Sequence, residues 1–339
     1  MKTITLIEPG KLELSNLPFP QPPGPGEALV RVRRIGVCGT DIHAYAGRQP
    51  FFTYPRILGH ELGVEVLEMG EGVERIKPGD KCSVEPYLNC GKCIACRRGK
   101  PNCCADIKVL GVHGDGGMRE QFVVRADKLH NSKKLDFDQL ALVEPLAIGC
   151  HAVDRASLER GEFALVIGAG PIGLATTQFA LEAGARVIVL DVNEARLAFC
   201  RKVLGVEFTI DATKQNTIDA LLDITKGDLP TAIFDATGNP KSMADSFQYP
   251  APGGRMVFVG LFQGDVTFND PLFHKREMTL MGSRNARPQD FSRIIDLIAM
   301  GRIDTKPWIT HRAPFERAVE DLLSWTKPET GVIKAIIEL

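Results

Sequence analysis

The chain has 339 residues, enough for about two domains, and its 44% hydrophobic and 24% charged residues describe a folded globular protein rather than a disordered one. Forty-one basic against 42 acidic residues leave a formal charge of −1, which is no electrostatic footprint for nucleic acid. No stretch approaches the ~20 apolar residues of a membrane span, and Glu8, Pro9 and Gly10 come too early for an export signal, so a cytoplasmic protein is expected.

In chain order, residues 1–45 read as strands and turns. Leu12 and Leu14 precede a loop rich in proline and glycine at residues 21–26. Residues 28–35 alternate apolar and basic side chains, as a half-buried strand does, and residues 63–69 repeat that style. Lys77, Pro78, Gly79 and Asp80 make a tight turn before a short strand at Val84. This first region reads as irregular and all-β. The texture changes after about residue 146. Residues 163–167 form a short apolar run suited to a buried parallel strand. A helix is expected over 172–183, a strand over 186–190 and a helix over 194–203. Further strands are expected at 207–210, 232–235, 255–259 and 279–281. Strands alternating with helices imply βαβ units around a parallel sheet. Beyond residue 288 the pattern predicts one helix, 291–300, a turn at Gly301 and a strand at 332–337.

Gly168, Gly170 and Gly173 form G-x-G-x-x-G between the strand at 163–167 and the following helix. The first glycine permits the tight turn, the second lets backbone N–H groups approach a pyrophosphate, and the third lets helix and strand pack closely. Pro171 and Ile172 open the helix, whose N-terminus favours phosphate. Asp191 lies eighteen residues after Gly173, at the end of the next strand. An acid there accepts hydrogen bonds from a ribose and repels a 2′-phosphate, which predicts NAD rather than NADP. Arg196, on the next helix, is also expected to contribute to cofactor binding.

Five of the nine cysteines fall within fifteen residues. Cys90, Cys93 and Cys96 stand at three-residue steps and Cys104 follows, with Cys103 beside it as a rival for the fourth place. Four thiolates from one loop suit a closed structural zinc site, and bound metal organises a lobe that has little apolar content of its own. An iron–sulfur cluster or unligated thiols are the other readings.

A second constellation is scattered. Cys38, Thr40, Asp41 and His43 come first, then His60 and Glu61, then Glu144 just before the nucleotide-binding pattern. A catalytic zinc takes about three protein ligands and keeps one position open. Cys38, His60 and either Glu144 or Glu61 would supply them. Taken singly, each of these residues is more often structural.

On these motifs together the chain resembles the zinc-dependent medium-chain alcohol dehydrogenases, on the sorbitol and threonine dehydrogenase branch. The resemblance spans the whole chain. It implies an α/β fold in three segments: a GroES-like, mostly-β catalytic domain with a structural-zinc lobe over 1–146, a doubly wound Rossmann NAD-binding domain over 147–287, and a return segment, 288–339, that completes the first domain. The active site would lie in the interdomain cleft. The resemblance implies one catalytic and one structural zinc, with Cys38 and His60 on the catalytic ion. Glu144 would be its third ligand, directly or through water, and Glu61 would approach when ligands exchange. Thr40 would pass the substrate proton on, His43 would release it to solvent, and Asp41 would orient a ligand or brace the loop. It also implies a homo-oligomer, a tetramer rather than a dimer.

Residues 47–56, 111–117, 270–276 and 281–286 resemble a bacterial subgroup of that family acting on sugar acids of the L-galactonate or L-gulonate type, oxidised at C5 to a ketone. A carboxylated, polyhydroxylated substrate needs a cation and hydrogen-bonding groups. Arg284 is the candidate carboxylate clamp and His113 a further contact, while Phe51 and Phe52 are placed either in the cleft or in packing. Two other readings stay open. One is the same chemistry on sorbitol, another polyol or L-threonine. The other is a non-catalytic regulatory protein that binds zinc and NAD.

Overall fold

The structure is a computed structural model that describes residues 1–49 and 52–339; Phe51 lies outside the described residues. The chain divides into two compact units, residues 1–144 with 287–339, and residues 145–286.

The hub of the first unit is the strand Glu27–Gly36. It pairs antiparallel with Glu61–Met69, Gln121–Arg125 and Lys334–Glu338. The alternation in its sequence maps onto its two faces. Ala28, Val30 and Val32 are buried, and Arg31 and Arg33 face outward to pair with Glu65. The final strand, Lys334–Glu338, also runs parallel to Ile309–Pro314, so the C-terminal segment belongs to the first unit's sheet. Ile4, Ile35, Leu58, Leu62, Met118 and Phe122 pack the core behind it.

The first region is not all-β. Gly39–Tyr45 is a helix whose start is fixed locally, because the Asp41 carboxylate accepts the Cys38 backbone N–H at 3.0 Å. Phe137–Ala141 is a second helix, with Asp136 and Gln139 capping each other reciprocally. Val143–Ala156 is a third, and Pro145 is tolerated there because the first turn has no N–H partner to lose. Beyond residue 288 the expected single helix is also corrected. Pro288–Ala299 is joined by Ala318–Trp325, which buries Ala318, Leu322 and Trp325 on one face at helical spacing.

Among its described residues the second unit forms one six-stranded parallel sheet. Its order is Phe208–Asp211, Arg186–Asp191, Phe163–Ile167, Ala232–Asp235, Arg255–Phe258 and Thr279–Gly282. Numbered along the chain this is 3-2-1-4-5-6, the doubly wound order of dinucleotide-binding sheets. Leu165, Ile188, Ile210, Ile233 and Met256 form its core. The first two crossovers are Pro171–Glu182 and Glu194–Val203. The next, Thr217–Thr225, escaped the sequence pattern. Asn216 caps it by accepting the N–H groups of Ile218 and Asp219, and Lys226 ends it in the left-handed region.

Candidate catalytic, zinc and dinucleotide sites

Strand Glu27–Gly36 runs through Val37 to Cys38, the N-cap of helix Gly39–Tyr45. Gly59, at φ +90°, turns the chain so that His60 precedes strand Glu61–Met69. The donor atoms of Cys38, His60 and Glu61 lie within 4.8 Å of one another. Asp41, fully buried, braces the group. One oxygen accepts the Cys38 N–H; the other accepts the Gly59 N–H at 3.4 Å and lies 3.8 Å from His60 Nδ1. Burial pushes the Asp41 carboxyl up, and His60 opposes the shift. Burial alone would lower the His60 pKa, but Cys38, then Asp41 and Glu144, outweigh it and hold the ring well above its ordinary value.

Glu144 sits in the first turn of Val143–Ala156 and is buried. The Tyr87 hydroxyl donates to its carboxylate. Burial pushes the Glu144 carboxyl up to about 7, against the pull of His60. Burial, reinforced by Glu144, likewise raises Tyr87 well above its ordinary value. Glu61 has a different partner: the buried Lys334 ammonium donates to both of its oxygens at 2.7 Å. Burial works against that charge, but Glu61 and then Cys38 raise the Lys334 pKa regardless.

The residues present fit a zinc ion. They offer sulfur, imidazole nitrogen and carboxylate oxygen in one group, with His60 and Glu61 buried and Cys38 half-buried, a donor set suited to zinc with an open position. His60 Nδ1 is buried and has no hydrogen-bond partner among the described residues, as expected where a ring nitrogen awaits a partner. Thr40 and His43 lie one turn apart on the helix that Cys38 caps, Thr40 half-buried and His43 exposed. Partial burial, with Arg48 adding to it, lowers the His43 pKa.

The four sulfurs of Cys90, Cys93, Cys96 and Cys104 form a second group within 4.8 Å. Backbone N–H groups point at them, from Cys90 to Cys104 Sγ at 3.2 Å and from Cys93 to Cys90 Sγ at 3.4 Å. Such bonds favour thiolates, and those from Cys96 and Ala105 bring Cys93 down to about 6. Cys103 is exposed and outside the group, so Cys104 closes it. Four converging sulfurs fit a closed tetrahedral zinc site.

In the second unit Gly168 stands at φ +93°, a region side chains avoid, and a Cβ on it would meet Thr237 at 3.0 Å. A Cβ on Gly173 would fall 1.7 Å from the Gly168 carbonyl oxygen, and Arg196 Nη1 lies 3.7 Å from where a Gly170 Cβ would be. Gly170 caps the helix that Pro171 and Ile172 begin. Asp191 ends its strand with one oxygen on the Ala169 N–H and the other on the Asn193 N–H. The bare glycine turn, the helix N-terminus and the terminal acid fit a dinucleotide.

Arg284 is exposed just beyond Thr279–Gly282. His113 Nδ1 accepts the Val109 N–H at 3.2 Å, which fixes the ring within its own loop. Phe52 packs edge-on against Tyr54 and onto the first unit's core. Sequence reasoning missed Tyr87 and Lys334. For Lys334 a signal existed, since a lysine inside the apolar run 332–337 needs a buried partner. It also missed a buried cluster in which Glu85 accepts from Lys128 at 2.5 Å and lies 3.1 Å from His130 Nε2.

Residues 171–300 match the family model described as zinc-binding dehydrogenase, and residues 24–134 match the alcohol dehydrogenase GroES-like domain. The chain is 43% identical to an L-galactonate-5-dehydrogenase of Escherichia coli K12, over 88% of this chain and 87% of the relative. It is 35% identical to an L-threonine 3-dehydrogenase of Pyrococcus horikoshii, over 92% and 91% of the two chains. Among solved structures, an alcohol dehydrogenase from Escherichia coli CFT073 complexed with NADH superposes with a TM-score of 0.93 at 29% identity, over 100% of this chain and 99% of that one.

Proposed function

The chain belongs to the zinc-type medium-chain alcohol dehydrogenase family, and within it we propose an NAD-dependent enzyme that oxidises a secondary alcohol of a sugar acid to a ketone. The substrate is of the L-galactonate or L-gulonate type and C5 is the carbon oxidised. The observation that carries the chemistry is the group of Cys38, His60 and Glu61, braced by the buried Asp41. The 43% identity to an L-galactonate-5-dehydrogenase supports the substrate class.

When bound, zinc at that group supplies Lewis acidity toward an alcohol oxygen and a nicotinamide supplies the hydride acceptor. Cys38 and His60 hold the ion, with Glu144 or Glu61 as the third donor. Asp41 fixes the backbone on both sides of that pair. Thr40 takes the substrate's hydroxyl proton through its own hydroxyl. His43, with its lowered pKa and exposed ring, is neutral at pH 7 and accepts the proton for release to solvent. Cys90, Cys93, Cys96 and Cys104 hold a second, structural zinc. Asp191 selects NAD, and Gly168, Gly170, Gly173 and Arg196 surround its phosphates and ribose. Arg284 and His113 meet the substrate's carboxylate and hydroxyls.

The same reading makes the protein a cytoplasmic homotetramer in sugar-acid metabolism. Nine unpaired thiols suit a reducing compartment, and the exposed edge strand Thr279–Gly282 suits a sheet continued into a second copy. The second reading, an L-threonine dehydrogenase, is favoured by the 35% identity to that enzyme. NADH formation on L-galactonate, L-gulonate, sorbitol and L-threonine decides between them. Preference for an aldonate, lost in Arg284→Ala, supports the proposal, and activity on L-threonine alone overturns the substrate assignment.

A further inference from the structure

The chain's net charge of −1 hides an uneven distribution. Residues 90–108 hold Lys92, Arg97, Arg98, Lys100 and Lys108 against a single acid, Asp106. That stretch stands at +4, which leaves −5 for the rest of the chain. We infer that the four-cysteine lobe is a docking surface for an anionic phospholipid membrane, with Ile94 as its apolar tip. Nothing in this surface depends on the reaction catalysed.

The lobe has an inside and an outside. The sulfurs of Cys90, Cys93, Cys96 and Cys104 converge within 4.8 Å, while Lys92, Ile94, Arg97, Arg98, Lys100 and Lys108 are all exposed. Ile94 opens the short helix Ile94–Arg97. It is 61% exposed, more than any other large apolar side chain described before residue 145. The backbone closes on itself: the Arg97 N–H donates to the Cys93 carbonyl at 3.0 Å, the Lys100 N–H to Ala95 at 2.9 Å and the Cys103 N–H to Lys100 at 3.0 Å. The Arg97 guanidinium donates to the Lys92 carbonyl. Such a loop presents its tip without the ordering cost that a disordered basic segment incurs on binding.

The charge on the outside is unmatched. Among the described residues none of the five cations pairs with a carboxylate. Elsewhere in the same unit the arginines are paired, Arg33 with Glu65, Arg34 with Asp138, and Arg125 with Asp127. A zinc ion on four thiolates adds two negative charges inside the loop, but the exterior keeps its cations. Like charges crowded on one short loop repel one another, and an external anionic surface relieves that repulsion.

Of the anionic surfaces, a lipid bilayer fits both features of the lobe. Each Lys or Arg near an anionic leaflet strengthens partition about fivefold. The headgroup layer also lets an aliphatic side chain between the cations reach the acyl boundary. A nucleic acid would use the cations but has no place for Ile94, and residues 90–108 contain no aromatic side chain on which a base could stack.

Co-sedimentation of the whole, zinc-loaded protein tests this, with vesicles of phosphatidylcholine alone and with vesicles in which about a third of the lipid is phosphatidylglycerol. Binding to the anionic vesicles only, lost at ~0.5 M salt, is expected. Arg97→Gln/Arg98→Gln should weaken it about tenfold or more, and Ile94→Ser about fivefold. Arg97→Lys/Arg98→Lys keeps the charge and should bind as wild type does, which separates charge from the packing of the loop. If the glutamine pair folds poorly, Lys92→Gln/Lys100→Gln takes its place. No sedimentation with anionic vesicles, equal sedimentation with neutral ones, an unchanged partition in Ile94→Ser, or equal loss in the lysine and glutamine pairs overturns the inference. So does retention of a DNA duplex without vesicle binding, which would make the lobe a nucleic-acid site.

Discussion

Asp191 Oδ2 accepts the backbone N–H of Ala169 at 2.5 Å, so the acid that ends the second strand of the nucleotide sheet is tied to the glycine turn that ends the first. Its other oxygen accepts the Asn193 N–H at 2.8 Å. The carboxylate therefore both fixes the turn and sets a negative charge where an adenosine ribose would sit. Asp191→Ser removes the charge and one of the two acceptor oxygens. We expect kcat/KM for NAD to fall about tenfold or more, equivalent to ~1.4 kcal/mol, and the preference over NADP to narrow. Kinetics with both cofactors check it, and an unchanged ratio would remove Asp191 from cofactor selection.

Gly173 packs against the Gly168 carbonyl so closely that a methyl group there would lie 1.7 Å from its oxygen. Gly173→Ala must push helix Pro171–Glu182 off the strand, at a cost of about 1–3 kcal/mol for overpacking. A lower Tm and lost NADH fluorescence enhancement are expected.

Cys103 and Cys104 are neighbours in sequence but not in role. Cys104 Sγ is buried, accepts the Cys90 N–H and closes the four-sulfur group, whereas Cys103 is exposed. Zinc content by elemental analysis should be about two ions per chain in the wild type and in Cys103→Ser. Cys104→Ser should fall to about one, with a lower Tm, because the metal organises this loop. Equal zinc in both variants would mean the lobe is held together without a four-thiolate site.

What was legible in the sequence is what has a local period. Residues 28–35 alternate because one face of Glu27–Gly36 is buried, and the apolar run at 163–167 marks the central strand of the parallel sheet. The glycine turn and the cysteine steps are likewise short-range patterns. Helix Gly39–Tyr45 was not legible, because seven residues are too few for a period and its start depends on one bond from Cys38 to Asp41. Nor was the Lys334–Glu61 pair, whose members are 273 residues apart. No local pattern connects a lysine in the last strand to an acid beside a candidate metal ligand; only the sheet register does.

Asp138 gives the return segment a pH dependence. Its carboxylate accepts from Arg34 at 2.7 Å and from Arg312 at 2.5 Å, and Arg312 also donates to Glu338 at 2.8 Å. Partial burial would raise its pKa, but the two guanidinium groups outweigh that and lower it below the ordinary 3.8. A folded-state pKa below the unfolded one means that the pair's stabilisation is fully present above about pH 4 and is lost as pH falls through the folded value. Asp138→Asn removes the charge that Arg34 and Arg312 share. At neutral pH it should cost about 1 kcal/mol, between an exposed pair and a buried charged hydrogen bond. Between about pH 5 and pH 2 the wild type should lose more of its Tm than the variant, because the variant has already lost the group that titrates. Thermal melts across that range check it: parallel acid limbs in the two proteins would show that Asp138 does not couple strand Ile309–Pro314 to the rest of the first unit's sheet.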